Sequence, residues 1–206
     1  MKKYNIAILQ RVIPIYRNSL FEEISNLPYI NLILLYGQDI PNTKVKSNID
    51  KSKKFIKTKH ETSFFKFFGR ILVWHHGLLK SLCEFKPDLI IAEGESNIIS
   101  YLQAFFYKCF FKDTKLIHWS IGGLPKSKSK SIEKFLKFLL LRIYDNYIVY
   151  SSFGKNELMR NYRIESYKIF VAVNISPIDK LLNNKLKKRN FPSNLATKNF
   201  DKNKFT

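Results

Sequence analysis

Arg17, Glu93, Glu95, His118, Ser151 and Ser152 are the side chains of this sequence whose type and setting best suit chemistry. A guanidinium fork matches a phosphate, a carboxylate accepts hydrogen bonds from hydroxyls, and an imidazole moves protons near neutral pH. Tyr16 and Arg17 follow the apolar run Ile6 to Leu9. Glu93 and Glu95 flank Gly94 at the end of Pro87-Asp88-Leu89-Ile90-Ile91-Ala92. His118 closes another apolar run and precedes Gly122-Gly123, and Asn174 ends the last such run. Ser151, Ser152 and Gly154 turn into a helical pattern, a setting that favours anions. Each also has a plainer expectation: an exposed arginine at a helix start, capping carboxylates, a hydrogen-bonded strand-end histidine, and Ser152 as an N-cap.

Several chemistries are excluded by what is missing. The sequence contains no G-x-G-x-x-G, no G-x-x-x-x-G-K-[ST] and no G-x-S-x-G, which removes the dinucleotide fingerprint, the P-loop and the nucleophile elbow. No Asp-x-Asp pair is present to hold a metal diphosphate. His75 and His76 are adjacent and would leave a helix on different sides, so packing is expected there rather than a metal. Cys83 and Cys109 are the only cysteines, which excludes a disulfide scaffold and fits a reducing compartment. Both fall in apolar patterns and are expected as core thiols.

The elements that must position these residues follow from short apolar runs alternating with helical periodicity. Strands are expected at 6–10, 30–36, 54–59, 87–93, 114–119, 147–151 and 169–174. Helices are expected from Ser19, with Glu22 completing a capping box, and over 64–85, 98–111, 132–144 and 152–162. The 64–85 helix rests on Phe65, Phe68, Ile71, Leu72, Leu79 and Leu82. Strands separated by helices imply a doubly wound α/β domain with a mostly parallel, Rossmann-like sheet, and ligands at the carboxyl ends of its strands. Residues 1–180 are expected to form this domain, and 181–206 a basic linker or disordered tail.

Composition narrows the partners. The 206 residues carry 36 Lys and Arg against 16 Asp and Glu, a net charge of +20. That favours an anionic partner such as nucleic acid, acidic lipid or a phosphorylated substrate, unless the lysines serve only solubility. The uncharged stretch Ser96 to Tyr107, like every other in the chain, is shorter than the roughly 20 residues a bilayer span needs. Phe64 to Trp74 and Ile132 to Tyr144 mix aromatics with Lys and Arg and suit either core helices or interfacial helices on acidic lipid.

Taken in order, four segments resemble the N-terminal half of a family 4 glycosyltransferase of GT-B fold. They are Ile8-Leu9-Gln10 with Pro14 to Arg17 and Phe21-Glu22-Glu23; Pro87 to Gly94; Lys115 to Gly123; and Tyr144 to Gly154 continuing through Leu158 and Lys168 to Asn174. The resemblance spans about residues 4–180. It implies a retaining, metal-independent transferase that uses a nucleotide-sugar as co-substrate, with no bound cofactor, in cell-surface polysaccharide or lipopolysaccharide synthesis. It further implies a polyprenyl-diphosphate or glycan acceptor, and a cytoplasmic location, peripheral on the inner face of the plasma membrane. By the same resemblance His118 would touch the donor sugar or assist proton transfer. Arg17 and Tyr16 would meet an acceptor phosphate, Glu93, Gly94 and Glu95 acceptor hydroxyls, and Gly122, Gly123, Ser151, Ser152, Gly154 and Asn174 the remaining wall of the substrate cleft.

The sequence departs from that pattern in two ways. Val12-Ile13-Pro14 stands where the family places a glycine pair. The family's second domain, which holds the nucleotide-sugar, does not follow Asn174. A Glu-x₇-Glu pair exists at Glu157 and Glu165, but it precedes the last strand and its spacing is that of a solvent face. The chain is therefore expected to be inactive alone, either as a truncated product or as one subunit beside a separate nucleotide-sugar-binding chain. A non-catalytic membrane-peripheral scaffold is the alternative. A nucleic-acid module is disfavoured, because no helix-turn-helix, zinc-finger or RNP pattern occurs.

Overall fold

The computed structural model describes residues 2–39, 47, 55–67, 70–94, 98–122 and 137–173. Glu95, Gly123, Asn174, the domain boundary at 180 and the tail lie outside the described residues.

The short runs fold as strands because each is too brief for a helix, and the central ones, at 4–10, 30–36, 89–93 and 115–120, are largely buried on both sides while those at the sheet's two edges are more exposed. Seven of them make one sheet: β1 (Tyr4–Gln10), β2 (Ile30–Tyr36), β3 (Ile56–Lys59), β6 (Leu89–Glu93), β7 (Lys115–Ser120), β8 (Asn146–Val149) and β9 (Ile169–Val171). Their order is β3-β2-β1-β6-β7-β8-β9, and every neighbouring pair is parallel. The chain winds outward from β1 to β3, then restarts at β6 on the other side. That reversal makes the β1/β6 boundary the topological switch point, where strand ends splay into a crevice.

Period two along the strands feeds two cores. Ala7, Leu9, Ile90, Ala92 and Leu116 face Leu78 and Leu82 of α2 (Leu78–Phe85) and Tyr101, Ala104 and Tyr107 of α3 (Ile98–Phe110). Ile8, Leu32 and Leu34 face Phe21 of α1 (Asn18–Ser25), with Phe55 and Trp119 beside them. Both faces are thus covered, the doubly wound α/β architecture expected from the sequence. Each fully buried side chain of this size contributes about 1.5–3 kcal/mol.

The expected 64–85 helix is instead a hairpin followed by a shorter helix. β4 (Thr62–Phe67) and β5 (Arg70–His75) pair antiparallel apart from the main sheet, and helix begins only at Leu78. Polar side chains of α3 hold the free edge of β5. Ser100 Oγ accepts the His75 N–H at 3.1 Å and donates to the Val73 carbonyl, while Gln103 Nε2 donates to the His75 carbonyl at 2.9 Å. Gln103 also accepts the Leu79 N–H at 3.1 Å, joining the hairpin to α2. With no helix at 64–74, the interfacial-helix expectation has no carrier there. Of the expected 132–144 helix, residues 137–144 are described: 137–141 are helical and 142–143 form a turn leading toward the next strand.

Smaller corrections follow. α1 starts at Asn18 with Arg17 as N-cap and no side-chain cap bond, so the Ser19 capping box is not formed. Cys83 and Cys109 are exposed rather than core, because each lies on the outer side of its helix. His75 is buried and His76 exposed at the end of β5, not on a helix. Glu165 lies beyond the helix Ser152–Tyr162, so it shares no helical face with Glu157. Among the described residues no helix is long and apolar enough to cross a membrane.

Candidate functional site

All strands of the main sheet point the same way, so their carboxyl ends share one edge. β1 ends at Gln10, β6 at Glu93, β7 at Ser120 and β8 at Val149. The segments after them carry most of the residues singled out above. At the switch point Arg17 and Glu93 meet across 76 positions of sequence, Nη1 to Oε1 at 3.0 Å.

Arg17 is buried, with 4% of its side chain exposed. Nη1 also donates to Gln10 Oε1, and Nη2 donates to the Tyr150 hydroxyl at 2.6 Å. The guanidinium lies 4.6 Å from the Trp119 ring and 5.7 Å from the Tyr16 ring. Burial opposes its charge, but Glu93, then Tyr150 and Tyr16, outweigh that and raise its pKa above the ordinary value. Its Nε has no partner among the described residues. Arg17 is therefore a buried strut tying β1, β6 and β8 together, not the exposed helix-start arginine of the plainer expectation.

Glu93 keeps 24% of its side chain exposed and is pinned from behind. Oε1 takes Arg17, and Oε2 accepts the Arg11 backbone N–H at 3.0 Å. Fixed carboxylate oxygens with partial access can accept a hydrogen bond from a hydroxyl without reorganising.

His118 sits deeper. Only 4% of it is exposed, with its ring 4.8 Å from Tyr144 and 6.0 Å from Tyr147. Burial, then Lys137, lowers its pKa to about 3 against a hydrogen bond to the Gly94 backbone. The imidazole is neutral at physiological pH, and so weak a base is far from the range that suits proton transfer there. Gly94 rests directly on it: a Cβ on Gly94 would lie 1.8 Å from His118 Nε2. The geometry gives His118 the task of backing the Gly94 wall.

The loop after β7 is held as tightly. Gly122 adopts φ +87, and a Cβ there would meet Gly154 Cα at 2.7 Å. Its N–H donates to Ser120 Oγ at 3.0 Å. Ser151, not Ser152, is the N-cap of the helix Ser152–Tyr162, its Oγ accepting the Gly154 N–H at 3.1 Å. Ser152 is exposed and Ser151 half-buried. The structure thus brings Tyr16, Arg17, Glu93, Gly94, His118, Gly122, Ser151 and Gly154 to one edge of the sheet, with His118 behind it. Gln10 and Tyr150 complete the Arg17 cluster and escaped the sequence reading. Their signal was a polar residue closing an apolar strand and a tyrosine just past one. Among the described residues no group of three or more His, Cys, Asp or Glu could hold a metal ion.

This sheet is the α/β Rossmann-like fold that forms one half of GT-B-type molecules. The solved structures similar to it carry that fold. A glycosyltransferase from Rickettsia africae is 15% identical with a TM-score of 0.54, over 94% of this chain and 51% of that one. UDP-GlcNAc 2-epimerase from Neisseria meningitidis bound to UDP-GlcNAc is 18% identical with a TM-score of 0.53, over 91% and 50%. Anabaena HepE in complex with UDP and glucose is 14% identical with a TM-score of 0.52, over 89% and 50%. The chain therefore spans about half the length of the structures it matches. No family model matches the sequence, and no curated protein does.

Proposed function

We propose that this chain is the acceptor-side half of a sugar-nucleotide-dependent glycosyltransferase of the family 4 type, retaining and metal-independent, acting in cell-surface polysaccharide or lipopolysaccharide synthesis. The observation that carries the reading is the Arg17–Glu93 pair at the β1/β6 switch point, 3.0 Å apart, with one carboxylate face left open. A crevice there is where a doubly wound sheet receives its ligand.

In this reading Arg17 acts from below. It holds Glu93 and Tyr150 in place, and Glu93 accepts a hydrogen bond from an acceptor hydroxyl. The Gly94 and Gly122 backbones, packed inward on His118 and Gly154, form a fixed wall beside it. The diphosphate leaving group would be stabilised by a second half, outside these 206 residues or on a separate chain. A polyprenyl-diphosphate or glycan acceptor and an anionic membrane surface are the partners this assigns, and the +20 charge supports them.

The test is sugar transfer from a panel of nucleotide-sugars to a polyprenyl-diphosphate acceptor, with and without a supplied nucleotide-sugar-binding half. Acceptor-dependent transfer only with that half present, and lost in Glu93→Ala, is the expected result. Transfer indifferent to Glu93→Ala, or none with any half, overturns the reading. The likeness to UDP-GlcNAc 2-epimerases favours a second reading as half of a sugar-nucleotide epimerase. Acceptor-independent conversion of the nucleotide-sugar would select it.

A further inference from the structure

The opposite edge of the sheet holds a feature that the proposed reaction does not use. A cavity of about 280 Å³ opens at the amino ends of β8 and β9, lined chiefly by Arg142, Tyr144, Tyr147, Arg163, Glu165 and Lys168. Arg142 and Tyr144 come just before β8, and residues 163–168 lead from the helix Ser152–Tyr162 into β9. Because β8 and β9 are parallel, this edge faces away from Glu93 and Gly94.

Its charges do not balance. The one carboxylate, Glu165, takes Lys168 at 2.7 Å and the Tyr167 hydroxyl at 2.8 Å, both on Oε2. That leaves two guanidiniums. Arg142 lies 4.6 Å from the Phe138 ring, and among the described residues neither Arg142 nor Arg163 makes a close ion pair, although the Arg142 charge reaches Glu165. The Tyr147 hydroxyl donates to the Leu141 carbonyl at 2.5 Å. Tyr144 lines the cavity with its ring, which packs 4.8 Å from the His118 ring on its inner side.

Both guanidiniums are exposed beside this one cavity, so an anion held there meets two positive charges. Their planar forks donate paired N–H groups, a geometry that phosphate oxygens accept. The volume lies just below the roughly 300–1,000 Å³ of sites for drug-sized ligands, so it suits a single phosphate group rather than a whole nucleotide-sugar. The positive field reaches the neighbouring groups. Burial pushes the Tyr147 phenol up to about 12, while Arg142 and Lys168 pull against that rise.

We propose that Arg142 and Arg163 form a binding site for a phosphate-class anion at the amino edge of the sheet, on the side away from Glu93 and Gly94. The anion is a free phosphate or phosphomonoester, or the headgroup of an anionic lipid.

Both sources are tested on the full chain. Thermal unfolding is followed in inorganic phosphate against sodium chloride of equal ionic strength. Cosedimentation is measured with phosphatidylglycerol vesicles and with phosphatidylcholine vesicles. The variants are Arg142→Gln and Arg163→Asn, the latter because Arg163 has φ 52 and asparagine tolerates that conformation. Lys112→Gln, exposed at the end of α3, is the control. Phosphate is expected to raise the melting temperature beyond matched chloride. Each arginine variant should weaken phosphate binding about tenfold or more, the loss expected for one charge-assisted contact, and Lys112→Gln should not. Phosphatidylglycerol binding that is lost in the double variant and competed by phosphate assigns the headgroup; its absence beside phosphate binding assigns the free anion. No phosphate effect beyond chloride, or an effect that survives in the double variant, overturns the proposal.

Discussion

Replacing Arg17 by methionine removes the side chain on which three strand ends converge. The variant loses the 3.0 Å ion pair with Glu93, the bonds to Gln10 and to the Tyr150 hydroxyl at 2.6 Å, and the stacking 4.6 Å from Trp119. Breaking a buried pair by removing one partner costs about 3–5 kcal/mol. Glu93 is 24% exposed and keeps the Arg11 N–H, so some of its solvation returns and the lower end applies, about 3 kcal/mol. With a urea slope near 2 kcal/mol/M, the unfolding midpoint should fall by about 1.5 M. Trp119 emission follows the transition, since its ring packs against the guanidinium. A double-mutant cycle with Glu93→Gln should return a coupling of about 1 kcal/mol or more. A destabilisation under about 1 kcal/mol would be that of an ordinary surface pair and would refute the account of a buried strut.

Other outcomes follow from the same geometry. Gly94→Ala forces a methyl to 1.8 Å from His118 Nε2 and should destabilise the domain by about 1–3 kcal/mol, with His118→Ala in the same chain restoring part of the loss; chemical unfolding measures both. Burial, then His60, lowers the pKa of His75 to about 4, and burial, then Lys137, lowers that of His118 to about 3, against 6.5 for an ordinary histidine. The unfolded chain therefore binds more protons below pH 6.5, and stability should fall as pH drops from 6.5 toward 4, less steeply in His75→Gln. Melting temperature against pH reads this, and a flat profile contradicts it. Exposed Cys83 and Cys109 should both react with a thiol reagent in the native protein, whereas core thiols would react only after unfolding.

The strands were legible because each is a short apolar run bounded by charge, glycine or proline. β2 matches the expected 30–36 at both ends, and β1, β6, β7 and β8 differ by one or two residues. The 64–85 segment was not, because its Phe, Ile and Leu positions satisfy a helical period while its first half also alternates. What decides is that α3 presents Ser100 and Gln103 to the backbone of β5, contacts made 25 to 28 positions away. The site was legible to the same degree. Glu93, Gly94 and Gly122 could be placed at strand ends from pattern, but not the burial of Arg17 or the packing of His118 beneath Gly94.

By itself the sequence determined the α/β alternation, the strands of the parallel sheet and the edge at which the candidate site residues collect. These depend on local periodicity and on the handedness of the crossovers, both written in neighbouring residues. Only the tertiary structure decided which side chains are free to act. Arg17 finds Glu93 across 76 positions and Tyr150 across 133, and His118 is closed over by Gly94 and Tyr144. Burial and pairing of charge depend on such distant partners, because desolvation is set by everything packed around a group rather than by its neighbours in sequence.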